Sequence, residues 1–274
     1  MAELYERFVA LYPYPHERIR HGAPRAELNR RYLEHLYEGK NRGTTPIVVA
    51  LDPTLLGTIE NNVSLRTSTP VQNITADTVE RYAHDLITDQ HHYLDQVGVE
   101  VAAHEAFRQL NESAYLQTYR RLMENGELGE DDIGMPLKAE YPFELTAGII
   151  NEKVKATDID SAAELLIMDL PLRDVSGVFA YLPFGGWNDC PDTESQLAFT
   201  HYWYQKYGAI PGLLDGHDTL EFYVERPVTD PNEAKQLAVE QFAFCSDAPT
   251  QVFDSFETLA TAIHHSKQLY FWWD

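Results

Sequence analysis

The chain has 274 residues, 44% of them hydrophobic and 12% aromatic, and its 43 acidic and 21 basic residues give a formal net charge of −22. Nucleic acids and anionic membrane surfaces are bound through many Lys and Arg side chains, so the composition argues against both as partners and favours a basic protein. No apolar run approaches the roughly 18 residues of a membrane span or forms a secretory signal, so we expect a cytoplasmic protein with reduced cysteines.

The first half of the chain is predicted to be mainly helical. Residues 1–42 are typical of two short helices interrupted by Tyr12-Pro13-Tyr14-Pro15, because proline disfavours a helical residue before it. A strand is expected near 46–52, where Ile47-Val48-Val49-Ala50-Leu51 is short and β-branched, and a polar loop is expected to follow it to about residue 74. Apolar residues at helical spacing then predict a helix from about Val79 to Val97, ending at Gly98. A second helix is expected over 102–125, followed by an acidic solvated loop over 124–132.

The sequence pattern changes in the last hundred residues, where it predicts alternating strands and helices. We expect strands at 178–184, 218–224 and 269–273, the last apolar on both faces and therefore interior to its sheet. Helices are expected from Thr193 to Tyr207, with a capping box completed by Gln196, and from the strong start Asp230-Pro231-Asn232-Glu233. A further helix is expected to begin near residue 254.

These elements predict an α+β protein in which a mainly helical N-terminal region packs on a C-terminal mixed sheet with flanking helices. We place the N-terminal region at 1–175, with its one strand near 46–52, and the C-terminal α+β domain at 176–274. Charge divides unevenly along the chain, since residues 1–45 carry a net charge of +2 and the remainder carries −24.

Four segments of the C-terminal domain carry a resemblance to a known family. They are Gly185-Gly186-Trp187-Asn188-Asp189-Cys190-Pro191, His217-Asp218-Thr219-Leu220-Glu221-Phe222, Glu240-Gln241-Phe242-Ala243-Phe244-Cys245 and Tyr270-Phe271-Trp272-Trp273-Asp274. In this order they resemble the bacterial family defined by a C-terminal domain of unknown function 4253, over about residues 176–274. The resemblance implies a bacterial, intracellular protein whose domain ends at Asp274, and it implies no activity. The family's motif is expected to read Asn-Glu-Cys-Pro, whereas this chain has Asp189 before Cys190.

The same motifs contain the candidate catalytic residues. Cys190 follows a Gly-Gly loop and is predicted to stand at a helix N-terminus, where the helix dipole would lower its pKa. His217 is predicted to open the strand that carries Glu221. If the fold brings Cys190 and His217 together, with Asp189 or Asp218 orienting the imidazole, the group would form an activated thiol nucleophile.

The same residues also have a purely structural interpretation. Asp189 would cap a helix, Trp187 would fill the core and His217 would lie in a turn. Trp187, Asn188 and Asp218 are the candidate binding residues.

Histidine and cysteine elsewhere give weaker signals. His84, His91 and His92 share polar helix faces with aspartates, but His84 and His91 lie nearly two turns apart, so we predict no metal site and expect no cofactor. Cys245 lies on the apolar stripe of its helix and is expected in the core, with pairing to Cys190 left open.

Two functional hypotheses follow from these observations. The first is a non-catalytic acidic interaction protein that binds a basic partner, such as an immunity-type protein that neutralises a toxin. The alternative is an enzyme of unassigned class at the Asp189, Cys190, His217 and Glu221 site. A small-molecule or metal sensor based on the histidine helix is a third possibility, and the sequence does not specify an oligomeric state.

Overall fold

The computed structural model describes residues 2–19, 25–107, 164–247, 251–253 and 256–274. These residues form one mixed six-stranded sheet with helices packed around it, which confirms the predicted α+β class. The strands are β1 His16–Ile19, β2 Thr45–Leu51, β3 Glu164–Leu170, β4 Ala209–Asp215, β5 Thr219–Val224 and β6 Gln268–Trp272. The helices are α1 Ala2–Leu11, α2 Arg25–Arg42, α3 Pro53–Thr67, α4 Ala76–Val97, α5 Val178–Tyr181, α6 Thr193–Tyr207, α7 Pro231–Phe244 and α8 Phe256–Ile263. Residues 99–107 are also helical.

The strand order of the sheet is β1-β3-β2-β4-β5-β6. The central strands β2 and β4 are parallel, with Val48 opposite Leu213, whereas every other neighbouring pair is antiparallel. Because β1 and β2 precede residue 52 and the other strands follow residue 163, one sheet is built from both halves of the chain.

The two faces of the sheet bury separate apolar clusters. Side chains of a strand alternate between faces, so Ile47 and Val49 of β2 contact the larger cluster and Val48 the smaller one. Helix α2 covers the smaller cluster with Leu28, Tyr32 and Leu36. The larger cluster includes core residues from the remaining helices, and its aromatic centre contains Trp203 stacked on Phe271 at 5.6 Å between ring centroids.

Two predictions for the first half of the chain are wrong. The predicted polar loop after β2 contains helix α3, which begins because the Asp52 side chain accepts a hydrogen bond from the backbone N of Leu55 at 2.7 Å and Pro53 occupies the first helical turn. The two helices expected over 1–42 are confirmed, but the expectation of one strand in residues 1–175 is wrong, because β1 lies between these helices and β3 also precedes residue 176.

Three details of the C-terminal region also differ from expectation. The apolar run 178–184 is not a strand, because it begins with the short helix α5, and a buried apolar run gives no periodicity that would separate the two. Helix α6 is capped by Asp192, which accepts from the backbone N of Ser195 at 2.8 Å, rather than by a capping box from Thr193. Strand β6 lies at the edge of the sheet, not in its interior.

Other elements are confirmed closely. The strand near 46–52, the helix ending at Gly98 and the helix starting at Asp230-Pro231 occupy the predicted positions. The acidic segment 124–132 and residues 108–125 of the second predicted helix lie outside the described residues. None of the helices in the described ranges combines the length and apolar character that a membrane crossing requires.

Candidate functional site

Four separate segments meet at one edge of the molecule and form a surface that we call the acidic–aromatic rim. Its residues are Asp52, Trp187, Asn188, Asp189, His217, Asp218 and Asp274. They come from the start of α3, the loop 185–191, the turn between β4 and β5, and the residues after β6. The rim therefore gathers three of the four motifs that carry the family resemblance.

Trp187 is fixed at the centre of the rim. Its indole Nε1 donates to the backbone O of Phe184 at 2.9 Å, and its ring centroid lies 5.2 Å from that of His217. The ring remains partly exposed. A partly exposed indole whose orientation is set by a hydrogen bond offers a rigid apolar surface, with an electron-rich face that attracts cations.

The loop that carries Trp187 is held from below by the helix α3 side chain Asn62. The Asn62 Nδ2 donates to the backbone O of Pro183 at 2.7 Å and of Gly185 at 2.8 Å. Gly185 has no room for a side chain, since a Cβ there would lie 2.0 Å from the backbone O of Pro191. Close packing of the loop on itself and on α6 thus requires Gly185, whereas Gly186 is favoured by its φ of +84°.

His217 lies in the turn between β4 and β5, rather than opening the strand as predicted. Its Nδ1 lies 3.5 Å from Oδ2 of Asp52, and both side chains are about one-third exposed. The structure thus pairs the imidazole with Asp52 and places it against Trp187. The Cys190 thiol contacts Gln196 instead of this imidazole.

Further acidic groups surround this pair. Asp218 is partly exposed, accepts a hydrogen bond from Thr219 Oγ1 at 3.0 Å, and has its backbone O bound by the N of Trp273. Asp189 and Asp274 are exposed, and Asn188 Nδ2 donates to the backbone O of Asp274 at 2.9 Å. The rim thus surrounds an aromatic pair with accessible carboxylates.

Cys190 is buried beneath the loop and is only 4% exposed. Burial, followed by the nearby Cys245 thiol, raises the pKa of Cys190 well above its ordinary value, and a hydrogen bond from Gln196 at 3.7 Å only partly opposes this. The predicted lowering of this pKa is therefore wrong. Both cysteines are buried and form no disulfide with each other, so the core position predicted for Cys245 is confirmed.

Glu221 is fully buried in the middle of β5, between Leu213 of β4 and Tyr270 of β6. The four candidate catalytic residues therefore occupy different environments. Cys190 and Glu221 are interior, whereas His217 and Asp189 belong to the rim.

Asp52 and Asn62 were missed, since Asp52 lies at the end of the strand predicted near 46–52 and Asn62 lies in the segment interpreted as a loop. The pair Asp52-Pro53 repeats the helix-start pattern recognised at Asp230-Pro231, and this signal would have revealed α3.

The histidines of α4 are exposed, as the polar face predicted. His91 Nε2 lies 3.1 Å from Asp174 Oδ2, and His201 Nδ1 lies 3.8 Å from the same oxygen. Among the described residues, no group of three or more His, Cys, Asp or Glu side chains is arranged to hold a metal ion.

The fold is thus α+β, and the rim is a candidate surface site at the end of its sheet. Residues 166–274 match the family model of a domain of unknown function, DUF4253. The match starts at β3, somewhat before the predicted boundary at 176, and ends at Asp274 as expected. No curated protein and no solved structure was similar enough to the chain to count as a match.

Proposed function

We propose that this is a non-catalytic, acidic interaction protein of the bacterial cytoplasm that binds a basic partner protein at the acidic–aromatic rim. The observation that carries the proposal is the meeting of four chain segments that places accessible carboxylates around the fixed, partly exposed ring of Trp187. An immunity-type protein that neutralises a basic toxin is one protein of this kind.

Charge supports this proposal at two scales. The net charge of −22 attracts a basic partner from a distance and raises the rate of encounter. At the rim, Asp52, Asp189 and Asp218 provide local acceptors for Lys and Arg side chains. Tryptophan is enriched among the residues that dominate interface energetics, which makes Trp187 the expected anchor.

The alternative, an enzyme with an activated thiol, receives less support from the geometry. Its nucleophile would be Cys190, whose thiol is buried and whose pKa is raised. A thiol in that state holds little of the reactive thiolate at neutral pH. The His217–Asp52 pair is accessible, but it lacks a neighbouring nucleophile in the contacts described above.

The test is affinity capture with the tagged protein in a lysate of its own host, at low salt and again at ~1 M salt. At the higher concentration the Debye length falls to ~3 Å, so interactions between exposed charges are screened. We expect a basic protein in stoichiometric amount at low salt and much less at high salt. The double variant with Asp189→Asn and Asp218→Asn should reduce retention of the basic partner about tenfold. This corresponds to a loss of ~1.4 kcal/mol in binding free energy.

The matched control is the pair Asp85→Asn with Asp95→Asn, two exposed aspartates of α4 that change the net charge equally. Retention should be unchanged by this control. If both double variants lose retention equally, overall charge alone explains the binding and the rim is not the binding surface. If nothing basic is retained by the wild-type protein at low salt, the proposal is overturned.

A further inference from the structure

Three consecutive carbonyl groups fix the backbone of the loop that carries Trp187. The backbone oxygens of Pro183 and Gly185 both accept from Nδ2 of Asn62, at 2.7 and 2.8 Å. The oxygen between them, that of Phe184, accepts instead from the indole Nε1 of Trp187 at 2.9 Å. The two carbonyls that α3 holds therefore flank the one carbonyl that orients the indole.

The Asn62 amide is fully used as a donor in this arrangement. Its nitrogen carries two N–H donors and has two carbonyl acceptors. Pro183 and Gly185 are buried, so a carbonyl that lost this donor would stay unpaired at a cost or turn towards another partner. A turn of either peptide group also changes the direction of the Phe184 carbonyl, because the three carbonyls belong to adjoining peptide units.

Asn62 is itself held in place by its helix. Its neighbours on α3, Ile59 and Val63, are buried in the larger apolar cluster, and Asn62 is half-buried. The same helix is capped by Asp52, whose Oδ2 lies 3.5 Å from Nδ1 of His217. One helix thus contacts both ring-bearing segments of the rim, the turn at its start and the loop nearly three turns later.

We propose that Asn62 is a positioning residue of the rim, which fixes the Phe184 carbonyl and, through it, the plane of the Trp187 ring. Asn62 affects binding only through this ring, so its role rests on the proposed function. An indole that is held in one plane before binding loses little conformational freedom when a partner packs on it, and this favours affinity.

Asn62→Asp separates positioning from charge, because the two predict changes of opposite sign. The carboxylate has nearly the shape of the amide, but it has no N–H donor and repels the two carbonyl oxygens. It also makes the protein more acidic, which by charge alone would strengthen the capture of a basic protein. We expect Asn62→Asp to weaken retention of the basic protein captured at low salt by about tenfold.

The matched control is Asn61→Asp, at the exposed neighbouring position of α3, which adds the same charge. Its retention should equal or exceed that of the wild-type protein. In a Trp187→Phe background, Asn62→Asp should cause no further loss, because both changes act on the same ring. Equal retention by Asn62→Asp and the control, or an undiminished loss in the Trp187→Phe background, would overturn the positioning role.

A measurement that needs no partner separates this role from the proposed function. Acrylamide quenching of Trp187 fluorescence, taken as the difference between each protein and its Trp187→Phe counterpart, reports the exposure of the indole. Asn62→Ala, which removes the donor and adds no charge, should increase this quenching, and Asn61→Ala should not. Unchanged quenching in Asn62→Ala overturns the role of Asn62, whereas the absence of any captured basic protein overturns the proposed function alone.

Discussion

The imidazole Nδ1 of His217 lies 3.5 Å from the Oδ2 of Asp52, although 165 positions separate the two residues in the chain. The contact joins the turn between β4 and β5 to the start of α3. It is possible because Gly216, next to His217, lets the two segments approach: the Gly216 N donates to the backbone O of Ala50 at 3.2 Å. The geometry of the rim thus depends on a glycine.

Gly216→Ala is expected to destabilise the protein by about 1–3 kcal/mol. Gly216 has a φ of +62°, which L side chains rarely adopt, and a Cβ there would lie 2.6 Å from Oδ2 of Asp52. The matched control is Gly57→Ala, inside α3, where a Cβ meets nothing within 4 Å. That change should stabilise the protein by up to about 1 kcal/mol.

The measurement for both glycine variants is the urea unfolding midpoint, with the slope checked for two-state behaviour. Shifts of opposite sign would support the close approach of Gly216 to Asp52. A Gly216→Ala variant as stable as the wild-type protein would show that the turn can move away from α3, and with it His217.

Native Cys190 is expected to resist alkylation by iodoacetamide at pH 8, because its thiol is buried and burial raises its pKa. Cys245, with no exposed surface, should resist as well. In urea both thiols should react at the rate of a small-molecule thiol. Mass spectrometry after timed labelling of the wild-type protein and of Cys245→Ser separates the two residues. Fast labelling of Cys190 in the folded protein would instead support the enzyme hypothesis.

The fold was predictable where local sequence signals act alone. The start of α7 at Asp230-Pro231 and the end of α4 at Gly98 follow from capping, which involves only neighbouring residues. The strand prediction for 178–184 was wrong because the position of this run against the core, rather than its periodicity, decides its conformation. The edge position of β6 depends on pairing between distant segments, and no local signal carries that information.

The candidate site was predictable in part for the same reason. The motifs around Trp187 and His217 were predicted on or beside loops, and the structure brings these two segments into contact. The protonation state of Cys190 was not predictable, since it depends on the depth at which the loop is packed. The contribution of Asp52 required knowledge of the β2–β4 pairing that brings it beside the turn.

Asp174 is expected to stabilise the fold in a pH-dependent way. Burial alone would raise its carboxyl pKa, but hydrogen bonds from the side chain and backbone of Ser176 and from His91 outweigh burial, so the pKa lies below its ordinary value of 3.8. A carboxyl with a lowered folded-state pKa stabilises the protein above the unfolded-state value, and this contribution is lost as the pH falls through the folded-state value.

Asp174→Ala should therefore lower the free energy of unfolding by about 1–2 kcal/mol at pH 7, because it removes the acceptor of the Ser176 backbone N and Oγ and the contact to His91. The difference from the wild-type protein should shrink below pH 3.8. Asp85→Asn, on the exposed side of α4, should change stability by less than about 0.5 kcal/mol. Denaturant titrations at several pH values measure all three proteins, and a constant difference for Asp174→Ala would contradict the pKa direction.

Glu240 of α7 is expected to make the stability of the fold depend on pH in the opposite direction. It is 2% exposed, and burial raises its carboxyl pKa above 4.5, although the Lys206 charge and hydrogen bonds from Trp203, Tyr202 and Lys206 oppose this. The folded state therefore holds the Glu240 proton more tightly than the unfolded state does. For such a group, stability falls as the pH rises from about 4.5 to the raised folded-state value, and is then constant.

Glu240→Gln removes that titration, keeps one side-chain oxygen as an acceptor and replaces the other oxygen by an amide nitrogen. The stability of the variant relative to the wild-type protein should therefore improve between pH 4 and pH 8. Glu240→Ala should instead cost about 1–3 kcal/mol near pH 4, because it leaves the buried indole N–H of Trp203, which donates to Glu240 at 3.0 Å, without its acceptor. This cost should become smaller towards pH 8, because the alanine variant also lacks the titration. Guanidinium unfolding of the three proteins over this pH range measures both effects. Parallel curves for Glu240→Gln and the wild-type protein would show that Glu240 ionises equally in the folded and unfolded states.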